Sequence, residues 1–186
     1  LACIAYLDGK MPSLVMCRGY YTRTVLAAWT FRNGRLEKIW TFDSDASSGN
    51  KKYRGQGNHS VSVGDVDGDG KHEIIYGSCA IDHNGKGLYS TGLGHGDASH
   101  LSDMDPDRPG LEFFMPHESK KAGVSLRDAG TGEIIWSKKN SSDVGRGCAA
   151  DISASKKGFE CWGSSGMGLY TCKGGSAGKL PSSVNH

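Results

Sequence analysis

The sequence predicts an all-β protein, about four blades of a β-propeller, on three observations. Short runs of Val, Ile, Tyr, Phe and Trp are separated by Gly, Asn and Asp clusters, and no stretch sustains apolar residues at helical spacing with caps. Gly supplies 28 of 186 residues, about twice the usual share, against only 5 Pro, which implies many tight turns rather than a disordered tract. A motif also recurs: GDVDGDGKHEIIYG from Gly64, SDMDPDRPGLEFFM from Ser102 and ADISASKKGFECWG from Ala150. It places Asp65, Asp103 and Asp151 at intervals of 38 and 48 residues, a period that suits one blade of four short strands.

Taken in order, the first unit, roughly 1–45, opens in a strand and carries a weaker copy of the motif, YLDGKMPSLVM, in which Asp8 and Gly9 survive but the closing Glu does not. Its second half, FRNGRLEKIWTFD, reads as strand, turn, strand, with Asn33-Gly34 suited to the positive φ of a two-residue hairpin. The second unit, roughly 60–92, holds the most acidic loop and then IDHNGKGLYSTG, where Asn84-Gly85 predicts a second two-residue turn. The third, roughly 96–140, ends in RDAGTGEIIWSKK, and the fourth spans roughly 146–175. No domain boundary is expected within 1–186. Because an open array leaves strand edges and apolar faces uncovered, the four blades are expected to be a fragment of a larger ring, with KGGSAGKLPSSVNH as a connection leading out.

Charge excludes some partners. The 22 basic and 20 acidic residues are interspersed and net +2, so there is no footprint for nucleic acid or anionic lipid, and no apolar run reaches the length of a membrane span. Six cysteines form neither a CxxC pair nor a zinc spacing. Most stand among Ala, Gly and Ile at strand positions, and free buried thiols are expected.

Asp65, Asp67 and Asp69 fall at i, i+2 and i+4, but Glu73 closes the loop at the ninth position, not the twelfth, between strands rather than helices. This is not an EF-hand. An oxygen-only cluster, with Gly68 and Gly70 to bend the backbone, suits a hard cation and predicts a structural calcium; a solvated acidic turn is the plain alternative. The second copy, Asp103, Asp105, Asp107 and Glu112, has one inserted residue and predicts a second structural calcium. In the third, Ser153 and Ser155 replace the middle carboxylates between Asp151 and Glu160, and no ion is expected.

Histidines mark a second constellation. GQGNHSVSV carries His59, GLGHGDASH carries His95, Asp97 and His100, and FFMPHES carries His117 and Glu118. His59 and His95 each precede the first strand of successive blades, equivalent positions that lie side by side around a propeller axis. With Asp97 they form a candidate metal site for which ligand type alone points to zinc or manganese, and packing histidines are the alternative. Arg146, between two glycines in SSDVGRGCAAD, has the same phase and suits either a bidentate partner for a carboxylate or a rim salt bridge.

CRGYYTRT, GQGNHSVSVGDVDGDGKHEIIYG, DHNGKGLYSTGLGHGDASH, SLRDAGTGEIIW, DVGRGCAADI and LPSSVN, in this order and spacing, resemble the catalytic domain of the rhamnogalacturonan lyases of polysaccharide lyase family 11 over essentially the whole chain. The resemblance implies a longer, eight-bladed propeller with several bound calcium ions, whose remaining blades and remaining catalytic groups are not in this chain. It implies an active-site calcium held by His59, His95, Asp97 and Glu118, in place of zinc or manganese, and for Arg146 an active-site role that either supports the reaction or abstracts the proton. It further implies β-elimination of the rhamnogalacturonan I backbone of pectin by a secreted enzyme. Cys148 stands where similar sequences carry Met, which leaves the proposed ligands intact. Two other readings are a non-catalytic, calcium-stapled propeller that binds carbohydrate or protein, and a quinone-dependent dehydrogenase. The latter is prompted by RDAGTGEIIW, whose Asp128, Thr131, Gly132 and Trp136 match that family's docking pattern once.

Overall fold

The computed structural model describes residues 1–119 and 121–180; the end of LPSSVN, and of the connection that contains it, lies outside them. The described residues form four antiparallel sheets of four strands each, every strand pairing with its sequence neighbours. The first sheet holds β1 (Ala2–Ala5), β2 (Ser13–Arg18), β3 (Val25–Arg32) and β4 (Arg35–Asp43), and the second β5 (Ser62–Gly64), β6 (Glu73–Tyr76), β7 (Cys79–Ile81) and β8 (Gly87–Ser90). The third holds β9 (His100–Ser102), β10 (Glu112–Pro116), β11 (Val124–Asp128) and β12 (Ile134–Lys138), and the fourth β13 (Gly147–Ala150), β14 (Glu160–Gly163), β15 (Leu169–Thr171) and β16 (Ser176–Gly178). A single 3₁₀ turn, Ser48–Tyr53, is the one helical element among the described residues. The chain divides into two compact units, Leu1–His95 and Gly96 onward, each containing two sheets.

Middle strands of the second and third sheets are buried on both faces, whereas β2 of the first alternates between buried and exposed residues. Every residue of β6, β7 and β10 is buried. In the first unit Val15, Leu26, Ala28 and Phe42 of the first sheet pack with Ile74, Tyr76, Cys79 and Ile81 of the second. In the second unit Phe114, Val124 and Leu126 pack with Ala149, Cys161 and Met167. Each fully buried Ile, Leu or Phe contributes on the order of 1.5–3 kcal/mol. All six cysteines are free thiols, four of them buried, where they serve as small apolar groups.

Asn33 and Gly34, at φ 50° and 74°, form the expected two-residue turn between Arg32 and Arg35. The second expected turn is different. Asp82 N–H donates to Lys86 O and Gly85 N–H to Asp82 O, so the loop is His83-Asn84-Gly85, three residues, with only Gly85 at positive φ (81°). The extra residue has a tertiary cause. Trp40 of β4 lies on this turn, its Nε1 donating to His83 O at 2.8 Å, and a Cβ on Gly85 would come 2.7 Å from the indole. The second unit repeats the device. Trp136 of β12 donates to Cys172 O at 2.7 Å and covers Gly174 in the turn between β15 and β16. The stretch around Trp136 that suggested quinone chemistry is therefore a sheet-to-sheet lock shared by Trp40.

Candidate functional site

Each unit builds its own part of the predicted constellation. In the first, His59 precedes β5 and His95 ends the unit, their ring centroids 4.8 Å apart in an edge-on arrangement. His95 is buried, and its Nδ1 lies 2.7 Å from Gly57 O. A carbonyl only accepts, so Nδ1 carries the proton and Nε2 presents the in-plane lone pair that a cation requires. Two residues to which sequence reasoning gave no role complete this half. Tyr20 and Tyr21, on the loop between β2 and β3, pack their rings on both imidazoles, and Tyr21 Oη is 3.3 Å from His59 Nε2.

The second unit supplies carboxylates and a guanidinium. Arg146 Nε is 3.3 Å from Asp97 Oδ2. Their loops are tied together, since Asp97 and Ala98 N–H both lie 3.2 Å from Gly145 O, and Val144 N–H donates to His117 O. Gly145 is so close that an added Cβ would stand 3.3 Å from Asp97 Oδ2 and 3.5 Å from Glu118 Cγ. Burial lifts the Glu118 pKa to about 7, reinforced by the hydrogen bond and charge of Asp97 and by the charge of Asp143, against the pull of Arg146. A carboxylate raised in this way gains from a cation placed against it. The donor types within each unit suit a divalent ion: acidic oxygens in the second, and in the first an imidazole with its tautomer already set. His100 and His117, by contrast, are packing groups, bonded to Gly147 O at 3.2 Å and to Ser125 Oγ at 2.8 Å.

The first acidic loop is organised by its own backbone. Asp65 accepts from Gly68 and Gly70 N–H, and buried Glu73 accepts from Val66 N–H. Ligand oxygens of Asp65, Asp67 and Glu73 lie within 4.8 Å of one another. Asp69 turns aside to Lys71 (3.1 Å) and joins Glu73 and His83 in a second such group, a role for His83 that no local spacing signals. Burial, with the charges of Asp67, Asp69 and Asp82, raises Glu73 to about 7. In the second loop Glu112 accepts from Met104 and Asp105 N–H, but Asp107 is engaged by Lys157 and, at 2.6 Å, by Lys173. Among the described residues, Asp103, Asp105, Asp107 and Glu112 do not form a group as close as those of the first loop.

A family model for rhamnogalacturonan lyase family 11, C-terminal domain, matches residues 1–186. The chain belongs to this family. Within it, the chain is 62% identical to the rhamnogalacturonan exolyase YesX of Bacillus subtilis and 58% identical to the rhamnogalacturonan endolyase YesW of the same organism. Both matches cover the whole chain but only 32% and 30% of those relatives, so the chain spans about a third of their length. A solved structure of a Bacillus licheniformis family 11 rhamnogalacturonan lyase superposes with a TM-score of 0.94 at 61% identity, covering all of this chain and 32% of that one.

Proposed function

We propose that this chain supplies part of a calcium-dependent rhamnogalacturonan lyase, in which His59 and His95 from one unit and Asp97 and Glu118 from the next hold the active-site cation. Only Gly96 separates His95 from Asp97, so the polypeptide keeps those two ligands within about two Cα steps, roughly 7 Å. What carries the reading is the set tautomer of His95 in one unit and, two residues along the chain, an Asp97 that Arg146 holds in the other, in a chain matched along its whole length by the lyase family. The four sheets are read as blades of a larger propeller. The length of the relatives supports this, as do apolar side chains left exposed on the first sheet: Ile4, Met16 and Phe31.

In the reaction, a base removes the C5 proton of a galacturonate residue and the C–H electrons form the C4–C5 double bond. The C4–O bond breaks, and the glycosidic oxygen departs with its electron pair and takes up a proton. The difficulty is charge, because the carboxylate α to C5 must accept more negative density. When bound, the cation supplies Lewis-acid stabilisation of that carboxylate. Arg146, held by Asp97, is placed either to support the growing charge or to take the proton. Asp97 aims the guanidinium, and Gly145 lets the two loops approach. The first acidic loop is proposed to hold calcium as a staple. The second is left out, its Asp107 being neutralised by two ammonium groups. Since the polymer lies outside the cell, we place the enzyme there.

The test is to incubate the intact protein with rhamnogalacturonan I, with and without chelator, and follow the ultraviolet absorbance of unsaturated uronate. Absorbance that grows and stops on chelation is expected. Saturated products would mean hydrolysis, and growth indifferent to chelator would remove the cation.

A further inference from the structure

We propose that Tyr20 is the positioning residue of the histidine pair, a ring laid against both imidazoles that fixes their planes before a cation arrives. The inference rests on the cation reading above. Its basis lies wholly within the first unit. The Tyr20 ring is 4.2 Å from that of His59, tilted by 56°, and 5.1 Å from that of His95, nearly parallel at 25°. Its Cα and Cβ also occupy the space beside Gly57, where any added Cβ would come within 2.9 Å of both. Tyr20 thus packs on the residue whose carbonyl sets the His95 tautomer, as well as on the two rings themselves.

The loop that carries it is pinned at several points. Arg23 donates twice to Asp43, at 3.0 and 2.5 Å. Thr24 N–H donates to Ser44 Oγ, and Ser44 N–H returns to Thr24 O, both at 2.9 Å. Gly55 N–H donates to Thr22 O at 2.8 Å. A hard cation gains less from imidazole than from oxygen, so the histidines join its shell only if little rotamer freedom remains to be lost. His59 is solvent-exposed, and the Tyr20 ring against it, beside the contact from Tyr21, narrows its rotation in advance.

The readout is specific to the histidines. Intact protein with ¹⁵N-labelled histidine is titrated with Ca²⁺, the resonances being assigned with His59→Gln and His95→Gln. In the unsubstituted protein both resonances are expected to shift. Tyr20→Leu should need about 10–100-fold more Ca²⁺ for the same shift, while Tyr20→Phe, which keeps the ring, should follow the unsubstituted curve. A Tyr20→Leu titration that overlays the unsubstituted one, or a Tyr20→Phe curve as weak as Tyr20→Leu, overturns the inference. If neither histidine of the unsubstituted protein responds, the cation reading fails first and takes this one with it. Should Tyr20→Leu not fold, Tyr20→Met decides: it fills the space without a ring, so a weakened titration supports the role and an unchanged one refutes it.

Discussion

Arg146 is the residue whose chemistry is easiest to isolate, because its Nε contact to Asp97 holds it in place without neutralising the site as a whole. If it stabilises charge in the transition state, Arg146→Ala should lower kcat on rhamnogalacturonan I by about 10²–10³-fold, with partial recovery in Arg146→Lys; steady-state rates of unsaturated-product formation check this. Asp43 offers a cleaner electrostatic case. Arg23, donating to it, and then the Asp45 amide hold its pKa at about 2, below the unfolded value of about 3.9. The folded state therefore releases that proton more readily, and the pair stabilises fully above about pH 4 and less as pH falls through 2. Urea midpoints taken from pH 5 to pH 2 should fall less steeply in Arg23→Ala than in the parent. Not every residue role was visible beforehand. Tyr20 and Tyr21 sit 39 and 38 positions before His59, and no local pattern announces a contact made across two sheets. His59, His95, Asp97 and Glu118 were legible as ligand types. The proposal of calcium rather than zinc or manganese came only through family likeness.

At the scale of single loops, near-identical acidic patterns have taken different neighbours. The first has buried Glu73, raised to about 7 against an unfolded value of about 4.3. In chelator, the unfolded chain ionises there before the folded one does, so stability should fall as pH rises from about 4.3 to 7. Calcium should abolish that slope and Glu73→Gln should flatten it, both seen in melting temperature against pH. In the second loop, Asp107→Asn should lower the melting temperature equally with and without chelator, whereas Asp67→Asn should matter only when calcium is present. The lysines that engage Asp107 come from 50 and 66 positions downstream, partners that spacing within the loop does not reveal. Turn geometry teaches the same lesson. Asn33-Gly34 is a local matter and reads correctly, while Asn84-Gly85 is decided by Trp40 lying across it. Gly85→Ala, forced into positive φ beneath an indole, should cost on the order of 1–3 kcal/mol, measurable by denaturant unfolding.

For the molecule as a whole, the all-β class, the four-stranded repeat and its approximate period followed from the short β-branched and aromatic runs, the glycine content and the recurring acidic motif. What lies beyond the chain did not. Ile4, Met16, Phe31 and Leu36 are 54%, 47%, 65% and 57% exposed on the first sheet, an apolar surface large enough to seek cover. The 186-residue segment expressed alone is therefore expected to self-associate in sedimentation experiments and to release no unsaturated uronate, while the intact protein does. Self-association should weaken in Phe31→Lys.

Trp40 and Trp136 each span two neighbouring sheets, one pair per unit, with the indole N–H committed to a carbonyl of the adjoining turn. Each therefore doubles as a native optical gauge: separation of its two sheets would hydrate the ring and redshift its emission. With Trp29 and Trp162 replaced by Phe, a chain retaining only Trp40 or only Trp136 would report the loosening of that unit by itself, and the two compared would reveal which unit yields first.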